Sequence, residues 1–259
     1  MAASKPVSRV RPLIRRPGGK SRMIPVLLPL LARFPHRCYC EPFCGGAAVL
    51  LAKPAVEHEV INDLDGDISN LYRQVRWHSE ALLREMEWMI ESRRDFNDYK
   101  AQPGLTEIQR AARWLFRNFY SFSGDNDTWG VKRLGFCTRS ALLAKVTAFH
   151  SRIDRVTIEC LPWRRCMDLY DSPQTLFFLD PPYTAGEVRA YAPWRQEDVS
   201  ELAEVLRSVK AAWVLTLNDS PANRAAFEGF PLQAVSTSAS MRARCQPSAR
   251  FKEIVVRSK

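Results

Sequence analysis

Apolar runs of strand length alternate along the chain with longer stretches of helical periodicity. The clearest run is residues 176–179, four apolar residues that lead directly into Asp180-Pro181-Pro182-Tyr183. An apolar run without alternation predicts a strand that is covered on both faces of a sheet. Because proline cannot continue a central strand, we expect the chain to leave the sheet at Asp180. The pattern therefore predicts a carboxylate and an aromatic ring at the carboxyl edge of the sheet, where open α/β folds bind ligands.

The rest of the pattern predicts an α/β fold. Further strands are expected at residues 38–41, 59–62, 157–160, 211–217, 231–235 and 253–256. Helices are expected at residues 68–77, 81–90, 106–119 and 196–210. Asp67 is a candidate cap for the first of these helices. Residues 97–104 are expected to form a turn, and Asp168 is expected in a loop.

Composition is that of a globular protein with one large domain, or with one domain and an insert. The chain has 259 residues, of which 46% are hydrophobic and 25% are charged. No apolar run approaches the length of a membrane span, so we expect no membrane association. The net charge of +10 fits either simple solubility or a polyanionic partner.

Cysteine usage indicates a reducing compartment. The chain has seven cysteines, an odd number, and no secretory signal, which favours the cytoplasm and free thiols. His36, Cys38, Cys40 and Cys44 cluster in sequence, but zinc ligands usually come as spaced pairs on separated knuckles. We therefore interpret these cysteines as buried thiols and predict no metal site.

The segment Gly18-Gly19-Lys20 is a candidate ligand-binding turn. The two glycines permit close backbone approach, and Lys20 can bind a carboxylate or a phosphate. A Walker A loop is excluded, because its first glycine and its spacing are missing. Taken alone, these residues are more simply explained as a turn with a solvated lysine.

A second glycine segment, residues 41–46, reads Glu-Pro-Phe-Cys-Gly-Gly. A strand that ends at Glu41, a turn at Gly45 and Gly46, and a following helix form the general cofactor cradle of doubly wound folds. The segment lacks the G-x-G-x-x-G spacing for dinucleotides, and a capped turn is the alternative. Asp63 ends the next strand, about twenty residues further on, where an acid binds ribose hydroxyls in this architecture.

Residues 79–150 are helical, basic and rich in aromatic side chains. Within them, Arg110, Arg113 and Arg117 share one helical face and could contact phosphates, or could simply form a solvated face. Residues 121–135 form a polar loop that could reach bases, or could be an ordinary surface loop. The candidate nucleic-acid ligands are Arg110, Arg113, Arg117, Lys132, Arg133, Asn126 and Trp129.

The groups at Asp180-Pro181-Pro182-Tyr183 suit one class of reaction. An exocyclic amine on a nucleobase is a poor nucleophile, because its lone pair is delocalised into the ring. The Asp180 carboxylate and the Pro181 carbonyl could accept its two hydrogens and localise the lone pair, while Tyr183 stacks on an unpaired base. The alternative is a strand end with a capping aspartate and a stiff turn.

The order of these motifs resembles the Dam-like family of DNA adenine-N6 methyltransferases. The matching segments are Pro17-Gly18-Gly19-Lys20, Glu41-Pro42-Phe43-Cys44-Gly45-Gly46, Asp63, a helical insert, Asp180-Pro181-Pro182-Tyr183, Leu217-Asn218-Asp219-Ser220-Pro221 and Phe251-Lys252-Glu253-Ile254. These segments lie near both ends of the chain and leave the insert least matched.

The resemblance implies a fold, a cofactor and a partner. The fold is a Rossmann-like S-adenosylmethionine-dependent methyltransferase sheet, mostly parallel with an antiparallel last strand. Residues 1–78 and 151–259 would form the catalytic domain, and residues 79–150 a helical target-recognition insert. The methyl donor would be S-adenosylmethionine and the partner DNA, in the cytoplasm of a bacterium or of a phage-infected host cell.

The resemblance also implies residue roles. The catalytic group would be Asp180, Pro181, Pro182 and Tyr183. The donor site would be Gly18, Gly19, Lys20, Glu41, Pro42, Phe43, Gly45, Gly46 and Asp63, with Lys20 and Glu41 at the methionine end and Asp63 on the ribose. Arg16 departs from the family pattern, because relatives usually carry an aromatic residue there. Residues 121–130 also depart from the recognition stretch of the best-known members, so their GATC target is not carried over.

Two alternatives remain open from the sequence. The same fold could act on another exocyclic amine, cytosine N4 or adenine in RNA. The chain could instead be a catalytically silent nucleic-acid-binding protein. The presence of Lys20, Glu41, Asp63 and Asp180 argues against such a loss of activity.

Overall fold

The structure is a computed structural model of the chain. It describes residues 10–16, 18–122, 124–130, 139–183, 194–238 and 250–259, with only the backbone described at residues 139, 237, 238, 250 and 251. Pro17 of the Pro17-Gly18-Gly19-Lys20 segment and the candidate nucleic-acid ligands Lys132 and Arg133 lie outside the described residues.

A seven-stranded sheet forms the centre of the described part of the chain. Its strands are β1 (Cys38–Glu41), β2 (His58–Asn62), β3 (Thr157–Glu159), β4 (Thr175–Leu179), β5 (Ala212–Asn218), β6 (Leu232–Ser238) and β7 (Arg250–Arg257). Their spatial order is β3-β2-β1-β4-β5-β7-β6. Strands β1 to β5 pair in parallel, whereas β7 is antiparallel to both of its neighbours. The predicted fold class, a mostly parallel sheet with an antiparallel last strand, is confirmed.

The apolar run before Asp180 is the central strand β4, as predicted. All five of its residues are buried, and it lies between β1 and β5. Leu176 and Phe178 belong to the core on one face, while Phe177 and Leu179 belong to the core on the other. Asp180 therefore emerges at the carboxyl edge in the middle of the sheet.

Helices cover both faces of the sheet. They are α1 (Ile24–Leu31), α2 (Ala48–Ala52), α3 (Gly66–Trp77), α4 (Ser79–Glu87), α5 (Arg93–Ala101), α6 (Glu107–Tyr120), α7 (Arg139–Ile153), α8 (Trp163–Tyr170), α9 (Gln196–Ser208) and α10 (Pro221–Ala226), with a 3₁₀ turn at Lys20–Arg22. Residues of α8 and α9 pack on one face, and residues of α1 to α7 pack on the other. None of the helices in the described ranges is long and apolar enough to cross a membrane.

Three local predictions were wrong. The cap of α3 is Asp65, whose Oδ1 accepts the amide of Asp67 over 2.9 Å, so Asp67 is not the cap. Residues 97–101 are helical, because α5 begins after a Ser92 cap and needs only Phe96 as a buried anchor. Asp168 lies in helix α8 rather than in a loop.

The helices of the predicted insert share the core that packs against the central sheet. Leu82 of α4, Phe96 of α5 and Phe149 of α7 belong to the same buried cluster as Tyr72 of α3. The rings of Tyr72 and Phe149 lie 4.9 Å apart between their centres. Helix α7 also continues to Ile153, three residues beyond the predicted boundary. The division into two domains stays a prediction.

Candidate active site

Asp180 follows β4 directly and is held through one of its two oxygens. Lys20 Nζ lies 2.8 Å from Asp180 Oδ1. The hydroxyl of Thr216, on β5, donates to the same oxygen over 2.8 Å. Lys20 is buried and also donates to the Gly18 carbonyl over 2.7 Å. No hydrogen bond from the described residues reaches Asp180 Oδ2, which leaves that oxygen available as an acceptor.

Tyr183 lies over the same lysine. Its ring centre is 4.9 Å from Lys20 Nζ, and its hydroxyl donates to Glu253 Oε1 over 2.7 Å. Glu253 belongs to β7, opposite Asn218 of β5, and its Oε1 lies 3.6 Å from Lys20 Nζ. Within the described residues, one ammonium group thus serves two carboxylates.

Pro181 and Pro182 connect the two polar residues. Pro181 is buried and Pro182 is half-buried. Each ring fixes its backbone φ near −65°, which restricts the path from Asp180 to Tyr183. The double proline therefore stiffens the segment that carries both predicted catalytic side chains.

We call Lys20, Asp180, Tyr183, Thr216 and Glu253 the strand-end cluster. Burial raises the pKa of Asp180 above its ordinary value, against the opposing effects of Lys20 and Thr216. Burial, together with the negative charges of Asp180 and Glu253, raises the pKa of Tyr183 well above its ordinary value. Tyr183 therefore stays protonated and donates, and the carboxylates gain from any further hydrogen-bond donor that a ligand brings.

Glu41 ties the glycine turn to the sheet. It is fully buried at the end of β1, and its Oε1 accepts the Tyr39 hydroxyl over 2.8 Å and the Leu50 amide of α2 over 2.7 Å. Burial raises the pKa of Glu41 to about 7, although both hydrogen bonds oppose the shift. The following Pro42 carbonyl accepts from the Asn62 side chain of β2 over 2.9 Å.

Asp63 closes the same turn from the neighbouring strand. Its Oδ2 accepts the Gly45 amide and its Oδ1 accepts the Asp65 amide, each over 2.9 Å. Gly45 has a left-handed φ of 45° and Gly18 one of 82°, the conformation for which glycine is suited. The carboxylate that follows β2 thus lies beside the Gly45-Gly46 turn, and its contact with a ribose stays a prediction.

An aromatic cluster lies next to the glycine turn. The Phe43 ring centre is 6.2 Å from that of Trp163 and 5.5 Å, edge to face, from that of Trp194. The Trp163 and Trp194 rings are 6.3 Å apart. The indole Nε1 of Trp194 is buried and has no hydrogen-bond partner among the described residues.

The three predicted arginines of α6 bind groups of the protein itself. Arg110 donates to Asp67 of α3 over 2.7 Å and to Glu107 over 3.1 Å. Arg113 donates to the Gln102 carbonyl over 2.8 Å, and half-buried Arg117 donates to the Asn126 carbonyl. Burial lowers the pKa of Arg117 below its ordinary value. Their role as phosphate ligands stays a prediction.

Asn126 and Trp129 shape the loop after α6. Asn126 is buried, has a left-handed φ of 60°, and accepts the Asn118 side chain over 2.8 Å. The Trp129 ring stacks on Tyr120 at 5.8 Å and meets Phe96 edge to face at 5.5 Å. Both residues hold the loop together, and their contact with bases stays a prediction.

The segment before Gly18 joins the insert to the catalytic sheet. Arg16, the residue at the usual aromatic position, pairs with Asp65 and lies with its guanidinium 5.9 Å from the Trp114 ring centre. The Arg15 amide donates to Asn118 Oδ1 over 2.8 Å, and the Asn118 side chain donates back to the Arg15 carbonyl over 3.0 Å. At this position Arg16 thus combines an ion pair with a contact to an aromatic ring.

Four residues of the site were not assigned roles from the sequence. Thr216 is a hydroxyl among the apolar residues of β5, and Glu253 is an acid that directly precedes the apolar residues 254–256 of β7, which is the signal that could have indicated them. Trp163 and Trp194 gave no comparable signal, because neither lies in a motif. Their positions depend on packing between α8, α9 and the glycine turn.

Similarity to known sequences agrees with this geometry. The sequence model of the D12 class N6 adenine-specific DNA methyltransferase family matches residues 17–241, most of the chain. The chain belongs to this family. The resemblance inferred from the motifs is therefore confirmed.

Two curated type II methyltransferases are relatives of this family member. M1.LlaDCHI of Lactococcus lactis subsp. cremoris is 29% identical over 125 residues, 44% of this chain and 43% of the relative. M.MjaIII of Methanocaldococcus jannaschii is 28% identical over 138 residues, 44% of this chain and 47% of the relative. The chain thus spans less than half the length of the curated relatives it matches.

The solved structure of an rRNA methyltransferase, aviRa from Streptomyces viridochromogenes, is a more distant match. It is 12% identical, with a TM-score of 0.43 over 93% of this chain and 86% of the other. At that score the likeness supports no argument about substrate.

The donor implied by this D12 class family, S-adenosylmethionine, fits the residues at the glycine turn. The backbone turn at Gly45, the acid Asp63 and the aromatic cluster around Phe43 lie at the carboxyl edge of adjacent strands. Trp194 Nε1, which has no hydrogen-bond partner within the described ranges, offers a donor to a polar ligand atom. No group of three or more potential metal ligands occurs among the described residues.

Proposed function

We propose that this protein transfers the methyl group of S-adenosylmethionine to the N6 amine of adenine in DNA. The observation that carries the proposal is the geometry of Asp180 at the end of β4. Its Oδ1 is occupied by Lys20 and Thr216, while its Oδ2 has no hydrogen bond from the described residues. A carboxylate held in this way presents one free acceptor in a fixed direction.

The amine would be bound through both of its hydrogens. Asp180 Oδ2 accepts one and the Pro181 carbonyl accepts the other, which localises the lone pair on N6. Tyr183 stacks on the flipped base, whose extrusion costs a few kcal/mol. Most of the rate gain then comes from positioning and from fixed dipoles.

S-adenosylmethionine supplies an electrophilic methyl group on a sulfonium that leaves as a neutral thioether. Gly18, Gly19, Pro42, Phe43, Gly45 and Gly46 would line its site, and Asp63 would bind its ribose. Glu41 holds α2 against β1 and so keeps the turn in place. The raised pKa of Asp180 suits acceptance at Oδ2 of the proton that N6 loses on methylation.

Lys20 contacts the predicted catalytic aspartate as well as the Gly18-Gly19 turn of the predicted donor site. Its Nζ contacts the Gly18 carbonyl and the carboxylates of Asp180 and Glu253. We propose that Lys20 chiefly keeps Asp180 ionised and oriented. A contact with the methionine end of the donor stays a prediction.

The basic insert would bind the phosphate backbone of DNA, in keeping with the net charge of +10. Arg110 and Arg113 use only part of their guanidinium donors inside the protein, since each guanidinium carries five. The remaining donors can reach phosphates and give affinity without base selectivity. Such a protein would act in the cytoplasm, where bacterial or phage DNA is accessible.

The test is transfer of label from radiolabelled S-adenosylmethionine into unmethylated plasmid DNA. We expect Asp180→Ala to lower turnover at least about a hundredfold, on the scale of losing a preorganised polar group. Donor binding, measured by calorimetry, should change little. Near-normal turnover in that variant would contradict the proposed mechanism.

Digestion of the labelled DNA to nucleosides identifies the acceptor. N6-methyladenine supports the proposal, while N4-methylcytosine would replace it with the related cytosine activity. Label that enters RNA but not DNA would change the substrate class. Absence of both transfer and donor binding would leave the silent binding protein as the better account.

A further inference from the structure

The side chain of Tyr183 is hydrogen-bonded to a residue that is distant in sequence. Its hydroxyl donates to Glu253 Oε1 over 2.7 Å, across seventy positions of sequence. Glu253 lies in β7, which is paired on one side with β5 and on the other with β6. A strand hydrogen-bonded on both sides is a rigid support for the acceptor.

The carboxylate of Glu253 is costly to bury without partners. Its side chain is 10% exposed, and a carboxylate at this depth is stable only when it is paired and hydrogen-bonded. Both partners observed here belong to the strand-end cluster, the Tyr183 hydroxyl and the Lys20 ammonium 3.6 Å away. Both observed contacts of Glu253 Oε1 are therefore made with residues of the strand-end cluster.

Tyr183 needs such a support for a geometric reason. A tyrosine ring can rotate about two side-chain bonds, and a stacking platform works only when its plane is fixed. The stiff backbone of Asp180 to Pro182 fixes the position of the Tyr183 backbone, but it does not restrict rotation about the two side-chain bonds. The hydroxyl bond holds the far end of the ring and so restricts rotation about the Cα–Cβ bond. Because a phenolic O–H favours the plane of its ring, the position of the acceptor also biases rotation about the Cβ–Cγ bond.

We propose that Glu253 is a positioning residue for methyl transfer, which holds the Tyr183 ring in place by accepting its hydroxyl and shares Lys20 with Asp180. This inference rests on the proposed function. Glu253 touches neither base nor donor and acts only through Tyr183 and Lys20. Its loss should affect the bound base and the rate of transfer, and should leave donor affinity unchanged.

The experiment is a double-mutant cycle of Glu253→Ala and Tyr183→Phe. The phenylalanine keeps the stacking ring and removes only the hydroxyl donor. We expect each single variant to lower kcat about tenfold, the scale of one lost hydrogen bond to a charged group, and the double variant to be no slower than the slower single one. Glu253→Gln, which keeps an acceptor, should recover part of the rate.

A fluorescent readout separates positioning from simple structural damage. With 2-aminopurine at the target position, we expect the Glu253→Ala complex to be brighter than the wild-type complex, because the flipped base is less firmly stacked. Multiplicative losses in the cycle, or loss of donor binding in Glu253→Ala, would overturn the inference. If the wild-type protein transfers no methyl group, the proposed function fails; if it does and Glu253→Ala is fully active, only this inference fails.

Discussion

Two buried lysine–carboxylate clusters lie at opposite edges of the sheet. At the amino edge, Glu59 of β2 accepts Lys53 over 2.8 Å and Arg152 over 2.6 and 2.9 Å. We call these three residues the amino-edge cluster. It joins the sheet to the end of α7, because Glu59 belongs to β2 and Arg152 to α7. The Arg152 guanidinium also donates to the Leu50 carbonyl of α2 over 2.7 Å.

The strand-end cluster at the carboxyl edge has the opposite balance. There, among the described residues, Lys20 is the one cation that contacts the carboxylates of Asp180 and Glu253. Although burial raises the pKa of Glu59, the hydrogen bonds from Arg152 and Lys53 bring it below its ordinary value, whereas the pKa of Asp180 is raised. The first cluster is complete within the protein, and the second gains from an added hydrogen-bond donor. In this protein, the buried ion pair that indicates a ligand-binding site is the one in which the carboxylates outnumber the cations that contact them.

The largest effect is expected from Glu59→Ala. Removal of this carboxylate leaves two buried cations facing each other, which should lower the free energy of unfolding by about 3–5 kcal/mol. Chemical denaturation measures the loss, and kcat of the remaining folded protein should be close to the wild-type value. A fall in kcat without loss of stability would contradict the structural role of the amino-edge cluster.

Glu41 sharpens the comparison, because it is a buried carboxylate hydrogen-bonded to neutral donors. Its pKa is raised from 4.5 to about 7, so the folded state holds the proton more tightly than the unfolded state does. Its contribution therefore favours folding at acid pH and declines as pH rises through 7, by about 3 kcal/mol in all. Denaturation of wild-type protein and Glu41→Gln at pH 5 and pH 8 should show this difference. Parallel pH dependence in the two proteins would refute the assignment.

Lys20→Met removes the cation of the strand-end cluster. Because an adjacent ammonium lowers the pKa of a carboxyl group, the variant should shift the acid limb of the kcat/KM profile to higher pH by about 1–3 units. Lys53→Met is the matched control, since it removes a lysine of the amino-edge cluster and should leave the profile unchanged. An unshifted profile in Lys20→Met would show that Asp180 does not depend on this lysine.

Local sequence signals predicted the centre of the site. The apolar run before Asp180 and the double proline after it determine a strand end without reference to any other segment. The positions of the glycine turn and of Asp63 could be predicted for the same reason, because each follows the end of its own strand. Helix α5 was missed because it buries only Phe96 and so carries no apolar stripe.

Partnership between distant residues could not be predicted in the same way. Lys20 was assigned to the donor, whereas its observed carboxylate partners are Asp180 and Glu253, which are separated from it by most of the chain. Arg110 and Arg117 share a helical face, but that face packs against α3 and the following loop rather than being wholly solvated. The spacing of residues in the sequence shows which side chains share a helical face. Only the packed structure shows which other elements that face contacts.

The most direct test of the central claim is the single-turnover rate of methyl transfer by Asp180→Asn. Lys20 and Thr216 both donate to Oδ1, so they should hold the amide oxygen of asparagine there and place its NH2 group at the Oδ2 position. The variant would then present a donor where the amine of adenine requires an acceptor. We predict a rate at least about a hundredfold lower, with unchanged donor affinity and no loss of stability. A rate near that of the wild-type protein would contradict the claim that Asp180 Oδ2 binds the target amine.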